Sequence, residues 1–210
     1  MLPLAADELR LLWCPQSVAV PRARRGRVDR VLRAALAPTL GVAPAALRFG
    51  REEKGRPFLL AAGAPDFNLS DTDGGTLVAM CGRGRVGVDL ERVDREPAVA
   101  RLARRYFADD EARALLAMDA DAARRAFLRL WTAKEASCKA TGTGIFGWLP
   151  RWRFDPFEEA PRLQAAPAHA GDPARWQHWR IEPAPTHTAV LALQDGAASA
   201  RHTGYRLLLD

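Results

Sequence analysis

Val86-Gly87-Val88-Asp89-Leu90-Glu91 is the stretch on which the reading of this chain turns. Val86, Val88 and Leu90 alternate with Gly87, Asp89 and Glu91, the period of a β-strand with one buried face. The pattern predicts a strand carrying Asp89 and Glu91 on the same side, with α-carbons roughly 6.6 Å apart. Glutamate is one methylene longer than aspartate, so the two head groups can converge. Two unpaired carboxylates repel, and a divalent cation relieves the repulsion. With no His or Cys beside them, oxygen-only ligation favours Mg²⁺ over zinc. The plainer alternative is an exposed strand face with two solvated acids.

A second string, Trp131-Thr132-Ala133-Lys134-Glu135-Ala136-Ser137-Cys138-Lys139, follows some forty residues later. It lies in a helix predicted over 123–140 and stopped by Gly142. Trp131, Glu135 and Lys139 are spaced four apart and share one helix face, and Lys134 sits beside that face. A third carboxylate and two ammonium groups thereby join Asp89 and Glu91 as candidates for holding magnesium and a phosphate-bearing substrate. Taken alone, Glu135 and Lys139 are an ordinary helix-stabilising pair and Trp131 an ordinary core residue.

Around these strings the chain alternates between strand and helix signals. Leu9 to Cys14 reads as a first strand, and Arg22 to Arg25 is a basic cluster. Helical spacing runs from Asp29 to Leu40, with Pro38 expected to end or bend the helix early. Phe58 to Leu60, Phe67 to Leu69 and Thr76 to Cys81 read as strands. From Pro97 to Gly142 the pattern is helical, and Asp109-Asp110-Glu111 suits a helix start. Trp152 to Phe154, Trp176 to Ile181, Thr188 to Leu193 and Tyr205 to Leu209 read as strands, with a long surface loop expected from Glu158 to Asp172. Short, turn-linked strands favour antiparallel pairing and an α+β fold. A boundary near Asp94 to Pro97 divides the chain into halves, 1–95 and 96–210.

The bulk properties bound the function. The chain has 210 residues, 48% of them hydrophobic, which is enough for a real core and argues against disorder. It holds no apolar run of membrane-spanning length, and the first residues lack the layout of a secretory signal. Three cysteines, an odd number without a close pair, suit free thiols in the cytoplasm. A net charge of +6 favours an anionic partner: a nucleotide, a nucleic acid or an acidic protein. Two Gly-x-Gly-x-x-Gly strings, at Gly82 to Gly87 and Gly142 to Gly147, lack the strand-then-helix context of a dinucleotide site. The first reads as a hairpin turn. His169, His178, His187 and His202 are scattered without metal-ligand spacing, and Cys138 reads as a packed residue.

Phe67-Asn68-Leu69-Ser70, the Asp89/Glu91 strand and Trp131-x-x-Lys134-Glu135-Ala136-x-x-Lys139-x-x-Gly142 together resemble the surfactin-type 4′-phosphopantetheinyl transferases in order, spacing and length. Gly55-Arg56-Pro57 adds a further match. The resemblance implies an α+β fold of two similar halves, each a mostly antiparallel sheet packed with helices, in a pseudo-twofold arrangement with the active site in the cleft between them. It implies transfer of phosphopantetheine from coenzyme A to a serine of an acyl carrier protein, or of a carrier domain of polyketide or peptide synthetases. By motif match, Asp89, Glu91 and Glu135 would hold Mg²⁺. Glu135, or a water it orients, would act as base, and Lys139 would contact the diphosphate with Lys134 adding to the field. Arg56 and Ser70 would contact the 3′-phosphate end of coenzyme A, and Arg30 would lie near the nucleotide.

One position departs from the family pattern. Asp71 stands where a histidine usually follows the Phe-Asn-x-Ser string. An ionised Asp would repel a phosphate unless it turns away or is offset by an arginine such as Arg56. On the sequence alone, Asp71→His is expected to tighten coenzyme A binding. The resemblance also implies a monomer, the usual state of such members, and the region from Val99 to Met118 is the expected carrier-docking surface. The competing readings are a basic nucleotide- or nucleic-acid-binding protein, and a family member made inactive by Asp71.

Overall fold

Strands β4 (Asp66–Thr72), β5 (Gly75–Cys81) and β6 (Arg85–Arg92) follow one another in the chain but do not form one sheet. β5 pairs antiparallel with β4 and with β1 (Glu8–Pro15), which in turn pairs parallel with β11 (Arg201–Arg206). β6 pairs antiparallel with β10 (His187–Gln194), and β10 with β9 (Trp176–Ala184). The turn at Gly82–Gly84 is therefore a corner between two sheets and not the hairpin that the sequence suggested. The computed structural model describes residues 4–15, 24–196 and 201–206.

The two sheets pack face to face, and each carries one long helix on its outer side. Leu77, Ala79 and Cys81 of β5 meet Val86, Val88 and Leu90 of β6 and Ala189, Leu191 and Leu193 of β10 in the central core. The alternate residues of β5, Val78 and Met80, face α1 (Arg24–Leu40) through Val31, Leu32, Ala35 and Leu36. Val190 and Ala192 of β10 face α4 (Ala120–Thr141). Burial on both faces explains why β5 shows no polar alternation. The fold is α+β, with strands from both sides of residue 95 sharing each sheet.

The expected helical block is three helices: α2 (Val99–Tyr106), α3 (Asp109–Leu116) and α4. Asp119 caps α4 by accepting the Ala122 N–H at 2.9 Å, and Gly142 ends it in the left-handed region at φ 73°. α1 continues through Pro38 to Leu40. Pro38 sits in the last turn, two residues before the helix ends, so the helix does not stop ahead of it. The expected loop at 158–172 contains a short strand, β8 (Leu163–Ala165), paired with β7 (Arg153–Phe154), and a turn that buries Ala170. Two three-residue strands, β2 (Phe49–Arg51) and β3 (Pro57–Leu59), form a small hairpin; β2 is too short to show a period. Part of the Arg22 to Arg25 cluster and of the strand expected at 205–209 lies outside the described residues. No described helix is long and apolar enough to cross a membrane.

All three cysteines are free and buried. Burial pushes the Cys81 and Cys138 thiols up to about 12 and raises Cys14 as well.

Candidate active site

The site begins at the seam between β4 and β6. Asp66 Oδ2 accepts the Val86 N–H at 2.8 Å, Asn68 Oδ1 the Val88 N–H at 3.1 Å, and Ser70 Oγ the Leu90 N–H at 3.2 Å. The three acceptors are alternate residues of one strand face, and the three donors are alternate residues of the other strand. β10 occupies only one edge of β6, so these amides would otherwise be buried without partners. Side chains thus replace a backbone ladder and hold the strands in parallel register, always twenty residues apart. Val86, Val88 and Leu90 fill the central core, so Gly87, Asp89 and Glu91 face α4.

α4 lies directly on this face. Gly87 permits it, because a Cβ there would stand 1.9 Å from the Ala136 carbonyl oxygen and 2.5 Å from the Ala140 nitrogen. The close approach delivers Lys139 to the strand. Its ammonium donates to Asp89 Oδ1 at 2.6 Å and to Ser70 Oγ at 3.0 Å, and Ser70 donates to the same Asp89 oxygen at 3.1 Å. Arg95 forms an ion pair with Glu91 and lies over the Trp131 ring, 5.6 Å from its centroid.

The electrostatics tie the acids together. Burial, then the charge of Asp89, pushes Glu91 up to about 7, against the pull of Arg95 and Lys139. Burial and Asp89 likewise push Glu135 up to about 7; Lys139 opposes this and Glu91 adds to it. Burial alone would lower Lys139, but Asp89, Glu135 and Glu91 outweigh it and hold the ammonium charged. Asp89, Glu91, Glu135 and Lys139 therefore form one charge cluster drawn from β6 and α4.

The cluster offers oxygen donors, the kind a hard divalent cation takes. Asp89 is only 4% exposed, and its Oδ2 is buried with no hydrogen-bond partner. The three candidate donors are all carboxylates, two of them with ionisation opposed by their neighbours. Lys139 and Arg95 act as counter-ions in the geometry described. Among the described residues no three His, Cys, Asp or Glu groups stand together at metal-ligating spacing.

The other expected site residues divide. Ser70 joins the cluster, but its hydroxyl is engaged by Asp89, Lys139 and the Leu90 amide. Lys134 does not join it. Its side chain is 0% exposed and turned away from the acids into the core, where it bonds Glu111 at 2.7 Å and the Leu149 carbonyl at 3.1 Å. The Trp152 carbonyl is a further acceptor, and burial lowers the ammonium's pKa despite Glu111. Arg56 is 6% exposed and bonded to Asp66, so it is not the arginine that offsets Asp71. That partner is Arg27, whose Nη2 reaches both Asp71 oxygens at 3.0 and 3.1 Å, while the Thr76 hydroxyl donates to Asp71 at 2.5 Å. Arg30 is exposed on α1.

Two cavities flank β4 and share Pro57, Asn68 and Leu69 as a common wall. One, of about 240 Å³, is lined by Lys54, Arg56, Lys139, Gly142 and Ile145. The other, of about 640 Å³, lies between α1 and the β2–β3 hairpin and includes Arg33, Phe49, Arg51 and Asp71. Sequence reasoning gave no site role to Asp66, Arg27 or Arg95, and read Glu111 only as part of a helix start. Asp66, Asn68 and Ser70 at every second position were a readable signal; the long-range partners were not.

Residues 85–194, just over half of the chain, match the model of the 4′-phosphopantetheinyl transferase superfamily. The chain belongs to that superfamily. It is 35% identical over 142 residues to the 4′-phosphopantetheinyl transferase HetI of Nostoc sp., covering 66% of this chain and 60% of the relative. It is 32% identical over 117 residues to a 4′-phosphopantetheinyl transferase of Bacillus subtilis, covering 56% of this chain and 51% of the relative. The chain thus spans about 60% or less of the length of these curated relatives. The crystal structure of Thermotoga maritima holo-acyl-carrier-protein synthase overlaps 54% of this chain and 64% of its own, with a TM-score of 0.42 and 23% identity.

Proposed function

We propose that this chain transfers the 4′-phosphopantetheine group from coenzyme A to a serine hydroxyl of an acyl or peptidyl carrier protein, releasing 3′,5′-ADP, as a cytoplasmic monomer. The observation that carries the reading is the meeting of β6 carboxylates and α4 charges around Asp89, on the two strings that the superfamily match covers.

Asp89, Glu91 and Glu135 are the residues that would hold Mg²⁺, which when bound would neutralise charge on the diphosphate. The residues have their own tasks. A base near neutrality suits proton removal from an alcohol at physiological pH, and Glu135 is pushed up to about 7. Its carboxylate takes the serine proton as the serine oxygen bonds to the phosphorus bearing the pantetheine arm. The bond from that phosphorus to the bridging oxygen breaks, and the electron pair leaves with 3′,5′-ADP. Lys139, held charged by the acids around it, offers an ammonium to the developing phosphate charge. The paired cavities either side of β4 suit a long donor with a nucleotide end and an extended arm. The net charge of +6 would steer an acidic carrier, and α2 and α3 are the proposed docking side.

The deciding experiment incubates an apo carrier protein with the chain, coenzyme A and Mg²⁺. A mass gain of one phosphopantetheine, lost on chelation and restored by Mg²⁺, is expected. An unchanged carrier mass across fatty-acid, polyketide and peptide-synthetase carriers would overturn the proposal.

A further inference from the structure

The last turn of α4 is gripped from outside by two arginines. A helix ends with carbonyls that have no partner within it. The Lys139 carbonyl accepts from Arg56 Nε at 2.9 Å, and the Ala140 carbonyl accepts from Arg85 Nε at 2.9 Å. Guanidinium groups are favoured at this negative end of the helix.

Each arginine is in turn held from behind. Arg56 donates to both Asp66 oxygens at 2.9 and 2.7 Å and to the Val86 carbonyl at 2.9 Å. Arg85 donates to both Glu52 oxygens at 2.8 and 3.0 Å. Glu52 occupies the space over Gly142, where a Cβ would lie 2.3 Å from its Oε2. Gly142 is favoured here by its left-handed backbone at φ 73°. All three guanidinium nitrogens of Arg56 are engaged. The residue whose carbonyl Arg56 holds is the same Lys139 whose ammonium reaches Asp89 and Ser70.

We infer that Arg56 is a positioning residue which, with Arg85, fixes the α4 terminal turn and so places Lys139, and that it is not a ligand of the coenzyme A 3′-phosphate. The kinetic part rests on the transferase reading. Lys139 is tied at both ends, its backbone through Arg56 and its side chain through Asp89. Loosening the first tie moves the ammonium relative to the acids, and misplacement on the scale of an ångström lowers turnover more than substrate binding.

The test compares the intact protein with Arg56→Lys and Arg85→Gln, using coenzyme A and 3′-dephospho-coenzyme A as alternative donors, with rates corrected for the folded fraction. Arg85 is 39% exposed at its side chain, so its variant keeps the fold if Arg56→Lys does not. The expected result is a kcat lowered by about tenfold or more, by the same factor for both donors, with KM within about twofold. Amide exchange over residues 138–142, measured without substrate, is expected to quicken in both variants. A KM that rises for coenzyme A alone would mark Arg56 as a phosphate ligand and overturn the inference, as would unchanged amide exchange. If the wild-type chain modifies no carrier, the transferase reading fails while the exchange measurement still decides the clamp.

Discussion

Gly87 lies directly under the Ala136 carbonyl, whose oxygen would stand 1.9 Å from a Cβ at that position. That contact brings the two acidic strings together, since it sets how closely α4 approaches β6. Gly87→Ala would force the helix outward by more than a rotamer change can absorb. Overpacking of this kind costs about 1–3 kcal/mol, and Lys139 would leave its 2.6 Å contact with Asp89. Urea unfolding together with a transfer assay checks this, and near-normal values of both would contradict the packing argument.

Ser70 is bonded to the Leu90 amide, Asp89 and Lys139 at once. Ser70→Ala leaves a buried amide and a carboxylate oxygen short of partners, a loss of about 1–3 kcal/mol. Turnover should fall with little change in the KM for coenzyme A. A raised KM at constant kcat would instead favour the phosphate contact read from the sequence.

The two lysines of α4 should separate in mutants. Lys134 closes a buried ion pair with Glu111, so Lys134→Ala leaves a buried carboxylate unpaired and should destabilise the fold by about 3–5 kcal/mol. Lys139→Ala should abolish most transfer, and because it leaves Asp89, 5% exposed at its side chain, without its ion-pair partner, it should lower the melting temperature as well. Melting curves and single-turnover rates of the two variants decide this, and a stable but inactive Lys134→Ala would restore Lys134 to the site.

The acid cluster sets a pH dependence. Glu91 and Glu135 have folded values near 7 against an ordinary 4.5. Between those values the folded chain binds more protons than the unfolded one, so stability falls as pH rises through the window. With chelator present, the melting temperature of the wild type relative to Glu135→Gln should drop as pH rises from 4.5 to about 7, the interval between the ordinary and the folded values. A flat difference would show that Glu135 ionises normally.

Asp71→His changes sign once the fold is known. Asp71 anchors Arg27 of α1 and accepts from Thr76. Histidine cannot replace that two-oxygen pair, so the variant should loosen α1 and bind coenzyme A no more tightly. Titration calorimetry with coenzyme A checks it, tighter binding being the contrary result.

Local periodicity carried much of this architecture. The alternation of Val86 to Glu91 located β6 and the face of its acids, and Gly142 marked the end of α4. The four-residue spacing placed Glu135 and Lys139 on the face that meets β6. What stayed hidden depends on contacts across the chain. Lys134 is one residue from Glu135, yet about 100° of helix rotation turns it into the core, toward a Glu111 that lies 23 residues away. The partner of Asp71 lies 44 residues off. The strand after Gly84 was legible as a strand, but nothing local told that it joins a different sheet from β5.

The three buried thiols have one practical consequence. With their ionisation suppressed, they are shielded from alkylating reagents at neutral pH. A cysteine introduced at Phe146, which is 75% exposed and adjoins Ile145 in the wall of the Lys139 cavity, would be labelled alone. A fluorophore there would report ligand entry without first stripping the native cysteines.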